Sequence, residues 1–149
     1  YVRFHLPKEL VFAIMVPDFP VSTEASRKVL PDRYTKKDAV FNASRAALLV
    51  ASMYTGKCEN LSMAMQDRIH QPYRNQLIPN MDRIFKAAKN YGALATYLSG
   101  AGSTLMAVLT EEKAEEFQQK MKAYLKAIPN EWELTLLKPD TKGAQLIAE

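Results

Sequence analysis

Apolar and polar positions keep a regular period along most of the chain, and that period switches several times between strand and helix. Residues 10–16, Leu-Val-Phe-Ala-Ile-Met-Val, are one unbroken apolar run closed by Pro17. A short run rich in β-formers predicts a strand buried on both faces. Residues 2–6 alternate apolar and polar, which predicts an edge strand beside it. After the loop Pro17-Asp18-Phe19-Pro20, Ser22 and Thr23 are N-cap residues for a short helix that ends before Pro31. Residues 37–54 read as a long helix, apolar nearly all round, which predicts a central, buried one stopped by Gly56. Leu61, Ala64, Met65 and Ile69 are in helical register over 60–69, Pro72 interrupts, and Pro79 starts another helix that ends at Gly92.

Two strands follow, 94–98 and 104–109, around the turn Ser99-Gly100-Ala101-Gly102-Ser103. Thr110 is placed to cap a last helix whose inner face carries Ala114, Phe117, Met121, Tyr124, Leu125 and Ile128, and Pro129 stops it. Residues 132–137 read as a strand, and 144–148 as a further short one. With the helical insertion collapsed, the order is β-α-β-β-α-β. This is an α+β fold, a ferredoxin-like split β-α-β sandwich with a helical insertion. One domain is expected over 1–149.

Composition narrows the classes. The 149 residues are 48% hydrophobic and 24% charged, as in an ordinary globular domain. The uncharged run inside the long helix, 46–56, falls far short of the ~20 residues that span a bilayer. No membrane partner and no signal peptide are expected. The single cysteine, Cys58, forbids an internal disulfide and suits a reducing compartment, so a cytoplasmic location is expected. The net charge is +4, but its 20 Lys and Arg are dispersed. The strand 94–98 holds one aromatic residue and no basic-glycine pattern, so no nucleic-acid partner is expected.

Little in the chain carries chemistry locally. Two histidines, His5 and His70, and one cysteine lack zinc-ligand spacing, so no metal site is expected. Lys57 could lower the pKa of Cys58, though an inert cysteine is the commoner case. The run Ser99-Gly100-Ala101-Gly102-Ser103-Thr104 suits close approach of a ligand to backbone N–H groups, or equally an ordinary hairpin. Arg74, in His70-Gln71-Pro72-Tyr73-Arg74, could fork a carboxylate or phosphate, and Arg27 shares that reading. For both, a solvated surface arginine is the plain alternative. Asn42 and Arg45 are polar residues in a mainly apolar helix, and Asn42 needs partners if it is buried.

Taken together, these blocks resemble homoserine kinase. The resemblance rests on Val16-Pro17-Asp18-Phe19, on Ser22-Thr23 with Arg27 and Val29-Leu30-Pro31, and on Asp38-Ala39-Val40-Phe41-Asn42 with Ser44-Arg45-Ala46-Ala47. It continues through His70-Gln71-Pro72-Tyr73-Arg74 and Leu77-Ile78-Pro79. The glycine loop, Leu98 to Thr104, is similar to the third motif of the superfamily of galactokinase, homoserine kinase, mevalonate kinase and phosphomevalonate kinase. The resemblance implies a C-terminal, substrate-binding half whose N-terminal kinase domain, binding ATP and Mg, lies outside this chain. It implies phosphorylation of the L-homoserine hydroxyl on the route to threonine.

It also implies roles. Arg27 and Arg74 would hold the carboxylate of L-homoserine, Gly100 would lie against the substrate through its backbone, and Thr23 would line the same pocket. Ser99, Ala101, Gly102 and Ser103 would shape the loop. Ala101 and Ser103 stand where many relatives have Ser and Pro. No catalytic residue is expected in this half, and the chain alone would be inactive. The partners implied are L-homoserine, the N-terminal kinase domain and, as an option, a second copy in a homodimer. The alternatives are another small-molecule kinase of the superfamily, or a non-catalytic ferredoxin-like module that binds an amino acid.

Overall fold

A computed structural model describes residues 5–144. Its elements are the strands β1 (Leu10–Pro17), β2 (Ala95–Leu98), β3 (Leu105–Thr110) and β4 (Trp132–Leu137), with six α-helices among them. The helices are α1 (Thr23–Lys28), α2 (Lys36–Thr55), α3 (Leu61–Ala64), α4 (Gln71–Arg74), α5 (Met81–Asn90) and α6 (Glu111–Lys126). Among the described residues the strands form one sheet in the order β2-β3-β1-β4, every pair antiparallel. This is the ferredoxin-like order, with α1 to α4 inserted between β1 and α5.

Side-chain alternation divides β1 between two layers. Val11, Ala13 and Met15 face a core shared with Ile84 and Ala88 of α5 and Phe117, Met121 and Leu125 of α6. Leu10 and Phe12 face a second cluster with Leu49 and Met53 of α2 and Leu61 of α3. Burying each such large apolar side chain contributes about 1.5–3 kcal/mol. The first layer is fully packed and the second is not: Phe12 and Ile14 are partly covered and Val16 is exposed. The expectation of burial on both faces therefore holds for one face.

α2 departs from expectation for the same reason. It is capped as its sequence suggests, by Thr35 at one end and left-handed Gly56 at the other. Yet only Ser52 and Met53 are buried, while Val40, Val50 and Tyr54 are 60%, 57% and 71% exposed. The helix touches the sheet through the Leu49–Met53 end, and its other apolar side meets solvent.

Other boundaries moved. The expected helix over 60–69 is a 3-10 turn, Cys58–Asn60, followed by α3. Asp67 then draws the N–H groups of Ile69, His70 and Gln71 onto its carboxylate, in the turn that leads into α4. α5 begins at Met81 rather than Pro79, after Asn80 at φ 64. Thr110 occupies the N-cap position of α6 without a side-chain cap bond. His5 and Leu6 lie outside any strand, and the rest of the 2–6 expectation, with 145–148, falls outside the described residues. No helix among the described residues is long and apolar enough to cross a membrane.

Candidate functional site

α1 starts cleanly because Ser22 Oγ accepts the N–H of Ala25 at 3.0 Å. Thr23 and Arg27 lie on its exposed side. Ser26 faces inward, fully buried, and its hydroxyl donates to the Ala101 carbonyl at 2.5 Å. One side of this short helix is thus fixed to the glycine loop while the other presents Arg27.

The glycine loop is held at both ends. Ser99 N–H donates to Thr104 O at 3.0 Å, and Gly102 N–H to Ser99 O at 3.0 Å. Ser103 Oγ donates to Phe19 O at 2.9 Å, tying the loop to the turn after β1. Gly102 has φ +94, and a Cβ there would come within 3.0 Å of Ile78 and 3.3 Å of Leu98. Gly100 has φ +55 and open space beside it. The carbonyls of Gly100 and Ala101 turn toward Arg74 and Ser26. The N–H groups of Gly100 and Ala101 have no acceptor among the described residues.

Arg74 closes the cluster from α4. Its Nε donates to Ser26 O at 3.2 Å and its Nη1 to Gly100 O at 2.9 Å. Nη1 also lies 3.2 Å from His70 Nδ1. Arginine only donates, so the imidazole accepts there and the proton of the neutral ring sits on Nε2. Of the five guanidinium N–H donors, three are engaged, leaving both hydrogens of Nη2. Among the described residues neither Arg74 nor Arg27 has a carboxylate partner.

The electrostatics agree with a neutral His70. Burial holds its pKa below the ordinary imidazole value, the Arg74 charge adds to that, and Asp67 pulls the other way. Asp67 is itself buried, which favours the neutral acid, but its hydrogen bonds from Gln71, Asn42, His70 and Ile69 outweigh burial and keep its pKa low. Cys58 is pushed up by burial, then by Glu9 and Glu59, so Lys57 does not activate it. A cleft of about 430 Å³ adjoins the cluster, lined in part by Asn42, Arg45, Asp67 and His70. No group of three or more His, Cys, Asp or Glu among the described residues is placed to hold a metal ion.

The structure brings Arg74, Gly100 and Ala101 together and places Arg27 directly after Ser26. Thr23 stands one turn earlier with no side-chain hydrogen bond of its own. Sequence reasoning passed over Ser26, Asp67 and Gln71. A local signal existed for Asp67 alone: an Asp shortly before Gln71-Pro72 matches an Asx turn into a helix.

Known proteins are similar to this chain. A family model described as GHMP kinases C terminal matches residues 49–127. The chain belongs to that family. A Clostridium acetobutylicum protein named homoserine kinase is 49% identical to this GHMP kinase C-terminal domain over 147 residues, 99% of this chain and 49% of that protein. The crystal structure of homoserine kinase from Cytophaga hutchinsonii matches with a TM-score of 0.86 at 31% identity, over 92% of this chain and 44% of that one. L. major mevalonate kinase, solved in complex with R-mevalonate, matches with a TM-score of 0.67 at 14% identity, over 89% of this chain and 44% of that one. That last likeness is one of fold alone. The chain spans about half the length of the curated relatives it matches.

Proposed function

We propose that this GHMP kinase C-terminal domain is the substrate-holding half of a cytoplasmic homoserine kinase. The observation that carries this reading is the state of Arg74. Three of its donors are fixed by the Ser26 and Gly100 carbonyls and by neutral His70, and no carboxylate among the described residues answers its charge. A guanidinium so oriented is prepared for an anion. The carboxylate of L-homoserine would take Nη2 of Arg74, the unpaired fork of Arg27 and a backbone N–H of the glycine loop, with Thr23 beside them. The loop glycines let the substrate approach the backbone closely.

The other half would hold Mg-ATP, which supplies the phosphoryl group. Residues of this half orient the amino acid and leave its side-chain hydroxyl free to react. The hydroxyl oxygen bonds to the γ-phosphorus, the bond to the bridging oxygen breaks, ADP leaves and the hydroxyl proton is released. No general base is assigned here, and transfer of this kind depends chiefly on positioning and charge neutralisation.

Substrate choice is tested with the intact protein and Mg-ATP against homoserine, mevalonate and galactose. Phosphorylation of homoserine alone is expected, since only it carries the carboxylate and ammonium together. Preference for either other substrate overturns the reading, and binding of homoserine without transfer favours a sensing module instead.

A further inference from the structure

We infer that Asp67 is a positioning residue that, steadied by Asn42 of α2, aims Arg74 at the substrate. This rests on the reading of Arg74 as the carboxylate clamp. The Asp67 side chain is 7% exposed, and the one basic side chain within ion-pair distance of it among the described residues is the neutral His70, with Nε2 at 3.8 Å. The nearby arginine, Arg68, is directed to Asp38 instead, at 3.7 Å. A buried carboxylate without a cation is costly unless hydrogen bonds satisfy it. Here four do. Oδ1 accepts from Asn42 Nδ2 at 2.5 Å and Ile69 N at 3.2 Å, and Oδ2 from His70 N at 2.8 Å and Gln71 N at 2.6 Å. Asn42 Oδ1 completes the clasp by accepting Arg68 N at 2.9 Å.

What this clasp controls is the site. It fixes the backbone of His70 and Gln71, the residues that open α4. Arg74 N–H then donates to His70 O at 3.0 Å, so the arginine is one helical turn from the clasp. The His70 ring meets the Arg74 guanidinium. Gln71 Oε1 accepts Leu98 N at 2.8 Å, which sets the strand leading into the glycine loop. Asp67 touches none of the groups assigned to the substrate, yet both routes to Arg74 and the loop pass through the turn it closes. Asn42 carries the same constraint back to α2, so a polar residue in an apolar helix has a defined task.

The test uses the intact kinase and the variants Asp67→Asn, Asn42→Ala and Arg74→Ala. Asp67→Asn replaces one accepting oxygen by a donor facing backbone N–H groups. It is expected to raise the homoserine KM about tenfold, the scale of one charge-assisted hydrogen bond, while the ATP KM stays within about twofold. Asn42→Ala is expected to move the homoserine KM the same way by less, and it carries the test if Asp67→Asn does not fold. In an Arg74→Ala background, Asp67→Asn is expected to add less than about twofold, because residues acting through one contact are not additive. Full additivity, an unchanged homoserine KM or an equal rise in both KM values overturns the inference. If Arg74→Ala raises the homoserine KM and neither Asp67→Asn nor Asn42→Ala does, the inference falls and the clamp stands. If Arg74→Ala has no effect, both fall.

Discussion

Arg74 shows how much a single side chain can be committed before any ligand arrives. His70 takes part in that commitment only while neutral, since a protonated Nδ1 cannot accept from a guanidinium. Its pKa is lowered in the fold, so below the ordinary value of about 6.5 the unfolded chain binds the proton first. Stability then falls as pH drops through that window, and the homoserine KM rises only at lower pH, where the folded His70 itself takes the proton. Melting temperature followed from pH 7.5 to 5 should decline more for the wild type than for His70→Gln, which cannot titrate. Equal slopes would remove His70 from the site. Arg74 stood out in the sequence as a basic residue in a polar break between two apolar helices and Arg27 as one just after the Pro17–Pro20 loop, and the resemblance implied their shared carboxylate role. Ser26 did not, because its partner Ala101 is 75 positions away and no local pattern announces such a bond. Asn42 was visible as a polar misfit, but its partner Asp67 was hidden 25 positions on.

Elements came through from the chain where their packing is ordinary. The strands at 10–17, 95–98, 105–110 and 132–137 and the inner face of α6 follow directly from period and breakers. α2 came through as a helix but not in its burial, because an apolar residue has the same identity whether a neighbouring layer covers it or not. The helix expected over 60–69 stops at Ala64, and Asp67 instead holds the turn that opens α4. The glycine loop was legible as a turn, but the different demands on its two glycines were not. Gly102 combines a positive φ with a crowded Cβ direction, whereas Gly100 has the positive φ alone. Gly102→Ala should therefore destabilise the domain by about 1–3 kcal/mol, and Gly100→Ala by less. Denaturant titration of both variants checks the order; a Gly102→Ala protein as stable as the wild type would contradict it.

At the scale of the molecule, the topology explains why three distant stretches meet. The insertion between β1 and α5 carries both arginines. The β2–β3 turn brings the glycine loop to α1 and α4, where the buried Ser26 locks the helix to it. β1 lies between β3 and β4, and the paired sheet fixes this end of the domain. The result is a hydrogen-bonded cluster of Arg74, Ser26 and the glycine loop on a chain about half the length of its curated relatives. Under the proposed function the amino acid belongs to this half and the nucleotide to the other, and each should respond separately to substitution. Steady-state kinetics of Arg74→Ala in the intact kinase tests that most directly. The homoserine KM is expected to rise roughly ten- to hundredfold, the loss of a charge-assisted contact, with the ATP KM nearly unchanged. An equal rise in both, or no change in the homoserine KM, would contradict the assignment.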